Sequence, residues 1–375
     1  MDRIKKMLLL HVPTSICNFR CMYCYIAQRP VHYQGLQADM KFSPEQVAYA
    51  LRPERIGGLA YMNLCADGET LLTKNFDLYV RALVERGHYA EIVTNLTITP
   101  MLEKILSWPA DLRARTEFKC SFHYLELKKH GMLDLFADNV HKIWDAGASA
   151  SVEVTPHDEL VPYVDELKEF SLKNFGAFPH FTIARDDRTQ GIDYLTSLPM
   201  QEYDRIWGSF DSDFWRYKKS VFGVKQTKFC YAGMWTAHIN LATGNAQSCY
   251  RGYPMGNVFE NPDAPFPERP TGHCKLAHCY NAHALLTFGC IPGSTPTRFG
   301  DNIRNRKTTY TVEGSWLQPA LLSFFNTKLE ENNKLLTPSQ QKYYLALNKL
   351  QDVYIKLRHA AGRVKRFIIK KIARS

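Results

Sequence analysis

Three cysteines near the N-terminus stand in the run Cys17-Asn-Phe-Arg-Cys21-Met-Tyr-Cys24, a CxxxCxxC spacing. Three thiolates on one tight loop can ligate three irons of a cubane cluster, and the fourth iron is then left without a protein ligand. An open metal position is what separates a reactive site from a closed structural one. The alternatives are a zinc site or three buried free thiols. Zinc usually takes four protein ligands in paired CxxC units, and no partner pair lies nearby. A second group follows between Cys230 and Cys290, in a segment rich in glycine and proline. Ten cysteines clustered in this way suit metal or redox work in a reducing compartment better than disulfides.

The elements that position the first loop alternate along the first half of the chain. Strands are predicted at Met7–Val12, Leu59–Leu64, Ala90–Thr94, Glu117–Phe122, Ala150–Thr155 and His180–Ala184. Between them lie predicted helices over Ser43–Arg52, Asn75–Arg86, Pro100–Ser107, Leu133–Asp145 and Val161–Asn174. Ser43 is the expected cap of the first helix, and Gly87, Gly147 and Gly176 each close one. Such alternation implies an α/β fold with a parallel sheet and right-handed crossovers. The cysteine loop then falls at the C-terminal end of strand one, where barrel-like α/β folds do their chemistry.

Here the motif resembles the signature of the radical S-adenosylmethionine (SAM) superfamily, including Tyr23 before the last cysteine. The resemblance implies a [4Fe–4S] cluster on Cys17, Cys21 and Cys24 whose open iron chelates SAM. Reduction then cleaves SAM to methionine and a 5′-deoxyadenosyl radical. Strand two ends in Asp67-Gly68-Glu69, similar to the family's Gly-Gly-Glu motif, with Asp67 in place of the first glycine. That similarity implies that Gly68 and Glu69 contact the SAM ammonium. Thr94-Asn95 resembles the family's Thr-Asn element, with an ordinary turn asparagine as the other reading of Asn95. Ser121 stands where relatives carry a serine near the SAM ribose. Arg185 is a plausible carboxylate partner, and Arg188 could serve equally.

In the second group, Ala237, Ile239 and Leu241 alternate before Thr243-Gly244-Asn245, which predicts a β-hairpin with Cys230 and Cys249 at its flanks. The arrangement resembles the SPASM/twitch domains appended to many radical SAM enzymes. It implies one auxiliary [4Fe–4S] cluster on Cys230, Cys249, Cys274 and Cys279, with Cys290 as a substitute ligand. A structural zinc hairpin competes, since His273, His278 and His283 crowd the segment. Cys65 and Cys120 lie near the ends of strands two and four. They read as small buried strand residues or as hydrogen-atom donors to a substrate radical.

The whole chain of 375 residues therefore reads as a partial (β/α)6 TIM-like barrel over 1–220, an auxiliary-cluster domain over 221–295 and C-terminal helices over 296–375. It is 45% hydrophobic and 22% charged, ordinary for a globular protein with a real core. No apolar run approaches the roughly 20 residues needed to span a bilayer. The run after Lys5 and Lys6 is too short for a signal peptide and predicts a buried strand in a cytoplasmic protein. The net charge of +10 is concentrated in Arg358, Arg363, Lys365, Arg366, Lys370, Lys371 and Arg374. Val353, Leu357, Ala360, Val364, Ile368 and Ile372 fall at helical spacing. This is either a packed terminal helix or an amphipathic one that touches anionic lipid or an acidic partner.

The expected reaction is oxidation or bond formation on a peptide or protein side chain or a natural-product precursor. Epimerisation or dehydrogenation of a sugar or cyclitol competes, because no peptide-recognition domain precedes strand one. Flavodoxin or ferredoxin is the expected electron donor, and no nucleic acid is expected. A non-enzymatic scaffold with zinc in both cysteine groups is the competing class, while a pure electron carrier needs no vacant iron.

Overall fold

The computed structural model describes residues 2–28, 35–250 and 252–372, with side chains described as far as Arg358. Six strands run in parallel, each beside the next in sequence order: β1 (Lys6–Val12), β2 (Ala60–Ala66), β3 (Tyr89–Thr94), β4 (Thr116–Ser121), β5 (Ser149–Val154) and β6 (His180–Phe181). Their near-continuous apolar runs are what a parallel sheet covered on both faces requires. In β1, Lys6 through Leu10 are all buried.

Helices on the outside return the chain. Pro44–Ala50 begins with a reciprocal cap in which the Gln46 amide donates to Ser43 Oγ and the Ser43 amide to Gln46 Oε1. Phe76–Glu85, Thr99–Leu106 and Leu133–Asp145 match their predicted spans to within one or two residues. The Gly176 amide donates to the Leu172 carbonyl, and the left-handed backbone of Gly176 (φ 67°) terminates Val164–Phe175. The turn ahead of that helix, Asp158–Tyr163, is 3₁₀ instead of the α-helix expected from Val161, since Pro162 offers no N–H.

Three features depart from expectation. β6 stops after two residues, so Arg185 belongs to a separate two-stranded ribbon of β7 (Arg185–Asp186) and β8 (Asp193–Tyr194). Two helices, Met200–Gly208 and Asp213–Val221, occupy a stretch for which no element was predicted. The predicted hairpin forms as β9 (Thr236–Asn240) and β10 (Asn245–Gln247), followed by β11 (Pro254–Asn257), but it does not stand apart from the sheet. β9 pairs in parallel with β1, Leu8 opposite Ala237 and Leu10 opposite Ile239. One nine-stranded sheet results, in the order β11-β10-β9-β1-β2-β3-β4-β5-β6.

The C-terminal extension closes one end of this array. A π-turn over Gly300–Arg304 carries Arg304, only 1% exposed, between the Glu91 carboxylate on β3 (3.1 Å) and that of Glu153 on β5 (2.7 Å). Phe324 stacks on Tyr89 with ring centroids 3.9 Å apart. The last helix, Pro338–Ile372, docks through Asn348, whose side-chain amide donates to the carbonyls of Pro270 and Thr271. Val353 and Leu357 of the predicted apolar stripe are exposed. The side chains of Ala360, Arg363, Val364, Lys365, Arg366, Ile368, Lys370, Lys371 and Ile372, and all of Arg374, lie outside the described residues, and with them most of the expected lipid-binding face. Among the described residues, no helix is long and apolar enough to cross a membrane.

Candidate active site

The loop after β1 and the ends of β2, β3 and β4 meet around one cavity of about 560 Å³. Cys17, Cys21, Tyr23, Cys24, Cys65, Gly68, Glu69, Asn95, Ser121 and Arg185 all line it. The loop is seated on the end of β2 by direct backbone contact. The Glu69 amide donates to the Ile16 carbonyl at 2.7 Å, and a Cβ on Gly68 would stand 2.2 Å from that same oxygen. Only glycine lets the two segments come this close. The three thiols lie within electrostatic reach of one another, and burial pushes Cys17 up to about 11 and Cys21 higher still. Three soft donors on one loop fit an iron–sulfur cluster, whose binding would displace their protons.

Glu69 is 2% exposed, and its carboxylate is already engaged. It accepts from Thr94 Oγ1 (2.5 Å) and from the amides of Asn95 (2.7 Å) and Leu71 (2.9 Å). Burial raises its pKa, and those three bonds oppose the rise. A carboxylate offers about four lone-pair sites, so room for one more donor remains. Asn95 joins the two halves of the site: its amide holds Glu69, while its side-chain Nδ2 donates to Asn18 Oδ1 in the cysteine loop at 2.8 Å. The chain then turns sharply through Leu96, a buried non-glycine residue at φ 59°. Tyr23 stacks on His157 (4.1 Å) and its hydroxyl is 2.7 Å from His123 Nδ1.

Of the two arginines, Arg185 faces the cavity, stacked over Tyr25 at 4.3 Å and paired with Asp187 at 2.8 Å. Arg188 is well exposed and pairs with Asp186. The two isolated cysteines also separate. Cys65 lines the cavity, and burial pushes its thiol up to about 12. Cys120 is completely buried in the core, with Sγ toward the Phe118 carbonyl, and does not line the cavity.

The second cysteine group draws together around a separate void. Cys230, Cys249, Cys274 and Cys279 line a second, small cavity of about 30 Å³. Cys290 is absent from that lining but contacts Cys230, and its thiol holds Cys230 below the ordinary thiol range. Four thiols around an apolar void suit an iron–sulfur cluster or a zinc ion. Among the described residues, no three His, Cys, Asp or Glu side chains are already drawn together around a single-ion position. The histidines go elsewhere: His273 is exposed, and His278 and His283 line the larger cavity. Cys279, Tyr280, Asn281 and Tyr250 form the wall common to both cavities.

Several site residues were missed in the sequence reading. Lys119, Glu153, Glu91 and Arg304 line the inner end of the large cavity as one ion-paired network, with Lys119 3.0 Å from Glu153. Asn63 adds a 2.5 Å bond to Glu91. Burial and the nearby Glu91 charge push the neighbouring Glu117 carboxyl up, against the pull of Arg304. The one available signal was Glu117 and Lys119 alternating on β4, with single acidic residues in the apolar runs of β3 and β5.

Similar folds occur among solved structures. Streptococcus suis SuiB bound to its precursor peptide SuiA superposes with a TM-score of 0.45 at 14% identity, over 69% of this chain and 63% of that one. The enzyme anSMEcpe with bound AdoMet gives 0.47 at 14%, over 68% and 78% of the two chains. BtrN in complex with AdoMet and 2-DOIA gives 0.38 at 18%, over 69% and 80%. The chain thus spans less than two thirds of the length of SuiB. This is a likeness of fold alone. No protein-family model matches the sequence, and no curated protein does.

Proposed function

We propose that the chain is a radical SAM enzyme that takes a hydrogen atom from a substrate carbon and leads the product to an oxidised or newly bonded state. The observation that carries this reading is the seating of the Cys17–Cys24 loop on Gly68-Glu69, through the 2.7 Å bond from the Glu69 amide to Ile16. It puts three thiols and a buried carboxylate on one cavity at the C-terminal mouth of a parallel sheet. Cys17, Cys21 and Cys24 would hold a [4Fe–4S] cluster, with Glu69 toward the SAM ammonium and Ser121 toward its ribose. Bound there, cluster and cofactor supply one-electron cleavage and a carbon-centred oxidant. The protein's own contribution is position and dryness: Asn95 fixes Glu69 to the loop, and Tyr23 fills the space against His123 and His157.

Cys230, Cys249, Cys274 and Cys279 would hold the auxiliary [4Fe–4S] cluster. Because Cys279 lines both cavities, a cluster held there would supply an electron acceptor at the wall of the substrate cavity, which supports oxidation. An external donor of flavodoxin or ferredoxin type would supply the first electron. The substrate is a peptide or protein side chain, or a small polar natural-product precursor, in a cytoplasmic setting.

Cys65 supports a second reading, radical epimerisation, since it faces the cavity with a thiol kept protonated. Anaerobic reconstitution, reduction and incubation with SAM should yield 5′-deoxyadenosine and methionine, and a colourless protein with stoichiometric zinc and no SAM cleavage would sink the proposal. Once a substrate is found, turnover in D₂O separates the outcomes. Deuterium in the product that vanishes in Cys65→Ala means epimerisation, and its absence from wild-type product means oxidation.

A further inference from the structure

The side of the large cavity next to Cys279 carries a cation with no counter-ion. Lys218, on the Asp213–Val221 helix, is only 8% exposed and lines the cavity. Four cations line this cavity, Lys119, Arg185, Lys218 and Arg304, with five carboxylates, Asp67, Glu69, Glu91, Glu153 and Asp187. Those carboxylates are all in use elsewhere. Glu153 pairs with Lys119 and Arg304, Glu91 with Arg304, and Asp187 with Arg185. Asp67 lies 3.4 Å from His11, and Glu69 is held by Thr94 and the amides of Asn95 and Leu71. Among the described residues, no carboxylate is within ion-pair distance of Lys218, and its ammonium stands 5.9 Å from the centre of the Phe214 ring.

Two buried ring nitrogens beside it are equally unanswered. His278 Nδ1 and His283 Nδ1 are both buried and without a hydrogen-bond partner, on residues that line this same cavity. His278 is 3% exposed. A buried ammonium costs several kcal/mol unless paired, and orphaned polar atoms in a native interior call for an explanation. Burial first, and then repulsion by Arg185, pull Lys218 down to about 7 against the attraction of Glu153, and an anion at its side would oppose that fall.

We propose that Lys218, with the imidazoles of His278 and His283, is the seat for an anionic group of the substrate, a carboxylate or a phosphate. This deepens the radical SAM reading and rests on it. The seat adjoins Cys279, so the substrate's charged end is tethered at the wall shared with the second cavity, and the rest of the molecule extends into the cavity lined by Cys17, Cys21 and Cys24. Lysine suits such a role as a compact point charge, and the histidines add directional contacts.

The test uses the full chain, reconstituted anaerobically and saturated with SAM. Acetate, inorganic phosphate and neutral acetamide are titrated separately by calorimetry. Acetate or phosphate should saturate and acetamide should not; the stronger of the two anions tells carboxylates from phosphate esters. Lys218→Met should weaken the anion at least tenfold, while Lys218→Arg should keep it within about threefold. Equal behaviour of acetate and acetamide, or undiminished anion binding in Lys218→Met, overturns the proposal. Abolition of anion binding by SAM also overturns it, since the seat would then serve the cofactor's own carboxylate. The acetate–acetamide comparison needs no substitution, so it decides even if Lys218→Met does not fold. Formation of 5′-deoxyadenosine by the wild-type protein is scored separately, so a failed anion seat and a failed radical reading give different results.

Discussion

Gly68 packs on Ile16 so closely that its missing side chain is a condition of the site. A Cβ at position 68 would meet the Ile16 oxygen at 2.2 Å, its carbonyl carbon at 2.7 Å and its nitrogen at 2.9 Å. All three are backbone atoms, which cannot swing aside. Gly68→Ala is therefore expected to push the cysteine loop off β2, costing about 1–3 kcal/mol of stability. Iron bound at Cys17, Cys21 and Cys24 should fall by more than half, and SAM should bind at least tenfold more weakly. Wild-type iron content and melting temperature in this variant would show that the contact is not required.

The two cysteine groups should load independently. Replacing Cys17, Cys21 and Cys24 together by alanine should remove about four irons and all SAM cleavage, and leave the second group's iron in place. Replacing Cys230, Cys249, Cys274 and Cys279 should remove a similar number and spare SAM cleavage. Iron and sulfide analysis of anaerobically reconstituted protein checks both. Zinc in the second group would appear in the same analysis.

Arg304 reaches from the C-terminal extension into the inner end of the cavity, with Glu91 and Glu153 on either side. Removing one member of a buried ion pair strands the others without water. Arg304→Met should therefore cost about 3–5 kcal/mol in urea unfolding. A loss below about 1 kcal/mol would mean that the extension contributes little to holding the strands.

Glu117 sets a pH dependence of opposite sign to an ordinary salt bridge. Its Oε1 accepts from Ser151 at 2.5 Å while Oε2 is buried without a partner. Burial, with repulsion from Glu91, raises its pKa from 4.5 to about 8. Between those values the unfolded chain has released the proton and the folded chain keeps it, so stability falls as pH rises through that window. Glu117→Gln removes the term. The variant should gain on the wild type by about 1 kcal/mol or more between pH 5 and pH 8 in thermal or urea unfolding. A difference that does not change with pH would rule this out.

What the sequence disclosed was local. Strand runs such as Met7–Val12, the Ser43 cap, Gly176 and the CxxxCxxC loop each encode their geometry within a few neighbours, and all appear as expected. The hairpin before Thr243-Gly244 was legible for the same reason. The helix Asp213–Val221 does carry a helical period, with Asp213, Arg216 and Ser220 exposed and Phe214, Trp215, Tyr217 and Lys218 buried, but the charged Lys218 on the buried side blurs it in the sequence. Only Ser212, whose side chain accepts from the Trp215 amide, gave a cap signal. Arg304 could not be foreseen at all, since its partners lie 213 and 151 residues away. Lys218 and Lys219 are adjacent in sequence, and only the folded cavity distinguishes them.

The parallel rungs between β9 and β1 have one more effect. β1 leads into the first thiol loop and β9 into the strand that precedes Cys249, and neighbouring strands sit only about 4.8 Å apart. In proteins hinged between modules, redox centres drift as the modules rock, and transfer rates vary with each excursion. Here any such drift would have to unzip a buried ladder, so the separation of the two thiol groups is held by the hydrogen-bonded frame of the sheet itself.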